Sequence, residues 1–178
     1  MKNRLLLLFI VFILFSAFRA DKPVLTIFTI GDSTMANKNL YGGNPERGWC
    51  MVLPGFFSED IRVDNHAANG RSSKSFISEG RWAKVISQVK KGDYVFIQFG
   101  HNDEKAEDGR YTDPNGDYTA EGSFANSLYE NYVKPAQEKG VTVILCTPIV
   151  RRTANGEWSR SNLHVTADTV SEGKTYAG

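Results

Sequence analysis

Three runs of strand length constrain this chain more than anything else in it. Val24 to Ile30 (VLTIFTI), Tyr94 to Phe99 (YVFIQF) and Val141 to Cys146 (VTVILC) are apolar or β-branched at nearly every position. They stop at Gly31, Gly100 and Thr147-Pro148. A strand with one wet face alternates, whereas a strand covered on both faces reads as a continuous apolar run, which is the habit of parallel sheets. Ile61 to Asn65 is a weaker fourth run. Parallel neighbours need crossovers, and the intervening text supplies helical patterns. Trp82, Val85, Ile86 and Val89 recur at helical spacing, ringed by Arg81, Lys84, Lys90 and Lys91 and ended by Gly92. Phe124, Leu128, Tyr132 and Ala136 form a second stripe, opened by Ser123 as N-cap and closed by Gly140, with Pro135 expected to kink it. A shorter helix is expected within Trp49 to Phe57, interrupted at Pro54. The alternation of strand and helix predicts an α/β domain with right-handed crossovers, a doubly wound sheet, and a crevice outside the carboxyl ends of the strands.

The amino terminus reads differently. Lys2 and Arg4 precede the apolar run Leu5 to Phe15 and the small residues Ser16, Ala17 and Ala20, the pattern of a secretory signal peptide. At 11 residues the run is too short to span a bilayer. Residues 1–20 are therefore expected to be removed and residues 21–178 to form one domain, secreted or periplasmic, with no stable membrane anchor. Removal takes Lys2, Arg4 and Arg19 and leaves a net charge of −2, the wrong balance for a nucleic-acid partner. Export permits a bridge between Cys50 and Cys146, although two buried thiols are the simpler reading. The text holds no CxxC, HExxH or acidic calcium loop, so neither a metal nor another cofactor is expected. The long irregular stretch Glu104 to Gly122 leaves from the end of the YVFIQF run, and a loop of that length is usually functional or mobile.

Each strand end presents polar groups. Gly31-Asp32-Ser33-Thr34-Met35 follows the first strand, the block from Asn65 to Ser73 (NHAANGRSS) the second, and Gly100-His101-Asn102-Asp103 the third. A serine just past a strand and opening a helix can expose its hydroxyl at the crevice beside backbone N–H groups. A neighbouring glycine lets its own N–H approach an oxyanion, and an asparagine amide adds a further donor. The three ends converge on acyl transfer through a tetrahedral intermediate. Taken singly, Ser33 is a good helix cap, Gly70 a turn glycine and Asn102 a loop anchor; their coincidence favours the chemical reading.

These blocks resemble the first three motifs of the SGNH, or GDSL-type, hydrolases. The wider text (NGRSSKSFISEGRW, DYVFIQFGHNDE, TPIVRR) is similar to the rhamnogalacturonan acetylesterase branch, from about Thr29 to Arg152. The resemblance implies a flavodoxin-like α/β/α sandwich on a parallel sheet and a serine esterase that removes acetyl groups from pectic polysaccharide, with no metal or organic cofactor. It assigns Ser33 as nucleophile and the N–H groups of Ser33 and Gly70 with the Asn102 side chain as oxyanion hole. Asp32 and Asp103 become supporting groups. The branch implies an acetylated plant polysaccharide as partner. A lipase or thioesterase of the same fold and a non-catalytic polysaccharide-binding remnant are the alternatives.

One family element is missing from the text. The general base of the family is a histidine in a late D-x-x-H block, whereas His66, His101 and His164 have Val63, Gln98 and Ser161 three residues upstream. The fifth strand and closing helix are likewise not found after Arg152, so the domain is expected to be incomplete at its carboxyl end. Two expectations follow: little activity, because losing a Ser–His relay costs roughly 10⁶ in kcat, and poor solubility from an open apolar edge at residues 141–146. His66 and His101 are expected to be local hydrogen-bonding residues. Tyr111, Tyr118 and Trp158 are candidates for sugar platforms or ordinary packing, Arg151-Arg152 for a carboxylate contact or a solvated pair, and Trp82 for the core.

Overall fold

The computed structural model describes residues 25–149. The expected leader, Arg151, Arg152, Trp158 and His164 lie outside them. Four strands, β1 (Leu25–Gly31), β2 (Ile61–Asn65), β3 (Tyr94–Gln98) and β4 (Thr142–Leu145), form one sheet in the order β2-β1-β3-β4. Every pairing is parallel, with Thr29 beside Asn65, Gly31 beside Gln98 and Ile97 beside Leu145. The fold class is α/β, as the strand text predicts. Each expected strand is present to within two residues at either end.

The helices are shorter than the text suggests. α1 (Trp49–Val52) runs into a 3-10 turn over Leu53–Phe56 with Pro54 at its start, where a missing N–H costs nothing. α2 (Ser73–Ser78) is an element the periodicity did not predict. Its start is fixed by a capping box: Ser72 Oγ accepts from Ser75 N, and Ser72 N donates to Ser75 Oγ. α3 (Arg81–Ile86) carries Trp82 and Val85 inward, and Val89 remains buried just past its end. The second expected stripe is present but not as one helix. α4 (Phe124–Leu128), capped by Ser123 Oγ on Asn126 N, widens into a π turn over Tyr129–Val133 before α5 (Lys134–Glu138). Pro135 lacks an N–H and clashes with a preceding carbonyl in an ordinary helix; it stands in the first turn of α5, just after the widened turn, and no sharp kink is needed.

One sheet face carries the main core. Phe28, Ile30, Val95, Ile97 and Phe99 pack under Phe76, Trp82, Val85, Tyr132 and Ala136. Four aromatic rings interlock there, with centroids 5.4 Å apart for Phe76 and Phe99, 5.6 Å for Phe99 and Tyr132, and 5.1 Å for Trp82 and Tyr132. Burying such a ring stabilises the fold by about 1.5–3 kcal/mol. Residues of the opposite parity, Thr29 and Gln98, face α1 through Cys50 and Trp49. β1 and β3 are thus covered on both faces, the reason these two strands read as continuous apolar runs. β4 forms an edge of the described sheet, with Leu145 55% exposed.

Candidate active site

The chain leaves β1 through Gly31, where a Cβ would sit 2.3 Å from the Gln98 carbonyl oxygen and 2.4 Å from Met35 Sδ. No side chain fits. The next residues make a turn rather than the expected helix. Asp32, fully buried, accepts from Thr34 N at 2.8 Å through Oδ1, and Met35 N and Ala36 N donate to its carbonyl. This side-chain turn satisfies the local backbone in place of a helix, so the first helix waits until Trp49. Buried Met35 anchors the turn from below. Ser33 stands half-buried in it, between Asp32 and Thr34.

The loop after β2 is laced to that turn. Asn65 Nδ2 donates to the Met35 carbonyl at 3.0 Å and to Asn37 Oδ1 at 2.9 Å, while its Oδ1 accepts from Thr29 Oγ1 and Ala67 N. Ala68 N donates to the Gly31 carbonyl at 2.9 Å. Further out, Lys38 Nζ donates to Asn69 Oδ1 at 3.0 Å. Gly70 follows at φ 77°, a left-handed conformation, while a Cβ there would meet nothing within 4 Å. Backbone conformation rather than space selects glycine at this position.

The loop after β3 closes the arrangement. Asn102, 4% exposed, donates from Nδ2 to the Arg71 carbonyl at 3.1 Å, one residue past Gly70. Asp103 is fully buried: Oδ1 accepts from Ser73 N at 2.9 Å and Ser73 Oγ at 2.6 Å, with Thr112 Oγ1 at 3.3 Å, and Oδ2 accepts from Gly100 N at 3.0 Å. Burial pushes its carboxyl up to about 6, against the pull of the Ser73, Gly100 and Thr112 hydrogen bonds. Tyr132 OH adds a bond to the Ser73 carbonyl at 2.5 Å. The second and third loops are therefore stapled twice, Asn102 to Arg71 and Asp103 to Ser73.

The structure brings together the loops that carry Ser33, Gly70 and Asn102, and it turns both described histidines elsewhere. His101 Nε2 lies 2.5 Å from the Ile149 carbonyl, on the β4 side, whereas Asn102 reaches to the β2 side. The ring of His66 stacks on Phe28 at 6.1 Å, with Nε2 3.2 Å from Asp64 Oδ1 and out of hydrogen-bond alignment. Tyr118 packs on Tyr129 at 4.9 Å, and Tyr111 is exposed. A cavity of about 420 Å³ lies between Ile97, Phe124, Leu128, Leu145 and Pro148, and none of the three candidate residues lines it. Cys50 and Cys146 are both free thiols. Among the described residues, no group of three His, Cys, Asp or Glu is placed to hold a metal.

Three residues that the sequence reading passed over take part. Asn65, Trp49 and Gln98 tie the turn around Ser33 to its neighbours. The available signal was chemical: Gln98 is the lone amide in an otherwise apolar strand, and a buried amide requires partners.

A family profile described as GDSL-like Lipase/Acylhydrolase matches residues 27–173. The chain is 36% identical over 127 residues to the probable rhamnogalacturonan acetylesterase YesY of Bacillus subtilis, covering 70% of this chain and 54% of that protein. Over 131 residues it is 36% identical to the rhamnogalacturonan acetylesterase RhgT of Bacillus subtilis, covering 74% and 51%. To the rhamnogalacturonan acetylesterase of Emericella nidulans it is 32% identical over 155 residues, covering 79% and 58%. The chain spans about half the length of these curated relatives. Among solved structures, the YxiM protein of Bacillus subtilis superposes with a TM-score of 0.59 at 26% identity, over 83% of this chain and 40% of that one. An acetyl xylan esterase variant from Geobacillus stearothermophilus shares the fold, with a TM-score of 0.50 at 20% identity over 74% and 63%. By its strand-end motifs, its parallel sheet and these matches, the chain belongs to the GDSL-like lipase/acylhydrolase family, a family of ester hydrolases.

Proposed function

We propose that the chain carries the acyl-transfer machinery of a serine acetylesterase directed at O-acetyl groups on pectic polysaccharide. One observation supports this most: the hydrogen bond from Asn102 to Arg71 holds a side-chain amide beside the Gly70 loop, which Asn65 and Ala68 tie to the turn around Ser33. In this reading Ser33 Oγ attacks the acetyl carbonyl carbon and its proton leaves to a base. The carbonyl oxygen, now negative, accepts from Ser33 N, Gly70 N and Asn102 Nδ2. Collapse expels the sugar hydroxyl and leaves acetyl-Ser33, which water then hydrolyses to acetate. Donors fixed where charge develops are worth about 3–4 kcal/mol each.

Neither described histidine is assigned as the base, because His101 Nε2 is engaged by the Ile149 carbonyl and the His66 ring stacks on Phe28. The acetylesterase relatives support acetyl over longer acyl groups. The leader-like amino terminus supports an extracellular or periplasmic substrate. The test is acetate release from acetylated rhamnogalacturonan, acetyl-xylan and p-nitrophenyl esters of rising chain length. Acetate should come preferentially from the pectic substrate, fall about 10²- to 10³-fold in Asn102→Ala, and vanish in Ser33→Ala. Release that survives Ser33→Ala would overturn the reading. A preference for long acyl chains would favour a lipase or thioesterase, and pectin binding without release a non-catalytic binding protein.

A further inference from the structure

Gln98 is 3% exposed and faces the α1 side of the sheet. Its three hydrogen-bonding partners come from three different elements. Oε1 accepts from Trp49 Nε1 at 2.8 Å on α1 and lies 2.8 Å from Thr34 Oγ1 in the Ser33 turn. Nε2 donates to the Thr147 carbonyl at 2.8 Å, just past β4. Thr34 is gripped on every polar atom: its N and Oγ1 lie 2.8 Å from Asp32 Oδ1, and its carbonyl accepts from Trp49 N at 2.9 Å. The single hydroxyl proton of Thr34 thus has two acceptors at equal distance, Asp32 on its own turn and Gln98 on the sheet. Among the described residues Asp32 Oδ2, deeply buried, has no hydrogen-bond partner, so Thr34 is the main brace there on that carboxylate. An amide that served packing alone would need no such arrangement, since a leucine fills similar volume.

We propose that Gln98 is a positioning residue: through Thr34 it fixes where Ser33 sits relative to the oxyanion donors, and through Thr147 it couples that turn to the exit of β4. The inference rests on the proposed role of Ser33 as nucleophile, and Gln98 itself touches no reacting atom. Displacing a nucleophile by about 1 Å can cost on the order of 10²-fold in rate.

The experiment compares wild type, Gln98→Leu, Thr34→Val and the double variant. Each is followed by amide hydrogen exchange and by the rate at which a fluorophosphonate modifies Ser33, read as intact mass. Gln98→Leu and Thr34→Val should each speed exchange over residues 32–36, leave β2 protected, and slow Ser33 modification at least about tenfold. The double variant should be no slower than the worse single one, because both act along one path. For p-nitrophenyl acetate, kcat should fall with KM little changed. Unaltered exchange over residues 32–36 in Gln98→Leu, or additive losses in the double variant, would overturn the proposal. Should Gln98→Leu fail to fold, Thr34→Val tests the same path without touching Trp49 or Thr147. If Ser33 is not the nucleophile, modification becomes insensitive to Ser33→Ala, while exchange still decides the structural coupling.

Discussion

Burial governs the titration of Asp103 and Cys50. Asp103 has its folded-state pKa raised to about 6 from 3.8. Between those values the native state holds a proton that the unfolded chain has lost, so the contribution of Asp103 to stability falls as pH rises through this window and is level above it. The full difference amounts to about 3 kcal/mol. Urea midpoints should therefore drop between about pH 4 and pH 6 by more in wild type than in Asp103→Asn, and equal slopes would refute the assignment. That variant should also loosen the staple between the second and third loops, since its NH₂ would face donors from Ser73, Thr112 or Gly100. Cys50 is the second case, its thiol pushed up to about 12 by burial, with a Thr29 hydrogen bond acting the other way. Thiolate is the reactive form. Iodoacetamide at about pH 8 should spare Cys50 in the folded protein and modify it only in denaturant, as peptide mapping will report.

At the level of elements, Gly31 is the tightest point. Gly31→Ala would drive a methyl group into the Gln98 backbone, which cannot retreat without breaking the β1–β3 register. We expect a loss of at least about 3 kcal/mol in chemical denaturation, or no soluble protein. Ser72→Ala removes one half of the capping box of α2 and should cost about 1 kcal/mol. How much of this was legible depends on how far each signal reaches along the chain. β1 and β3 were readable because burial on both faces leaves unbroken apolar runs, β4 by its β-branched and apolar residues although Ile144 and Leu145 are exposed, and the loops that carry Ser33, Gly70 and Asn102 follow the ends of β1, β2 and β3. α2 has its large apolar residues only at the adjacent positions Phe76 and Ile77, so no i, i+3 or i, i+4 recurrence marks it, and its signal lay in the pair Ser72 and Ser75. The π turn before α5 has no periodic signature at all. Asn65, Trp49 and Gln98 act through lateral pairings between strands and helices distant in sequence, which no local window contains.

In the whole molecule, coverage is uneven. The central strands β1 and β3 are buried, whereas β4 ends the described sheet with Ile144 and Leu145 exposed beside a largely apolar cavity. An uncovered parallel edge invites pairing with another chain. Residues 25–149 produced alone should therefore self-associate with concentration, and Leu145→Lys should reduce this in sedimentation without altering the core. The same topology has a consequence for how the site comes into being. Thr29 must find Asn65, and Gly31 must find Gln98, before the loops that carry Ser33, Gly70 and Asn102 can meet. Closing such loops precedes any gain from them, so non-local parallel pairing is slow to form. If Ser33 is the nucleophile proposed above, its reactivity is a late event in refolding: helical circular dichroism should recover first, and the serine should become modifiable only when the three strands have locked together.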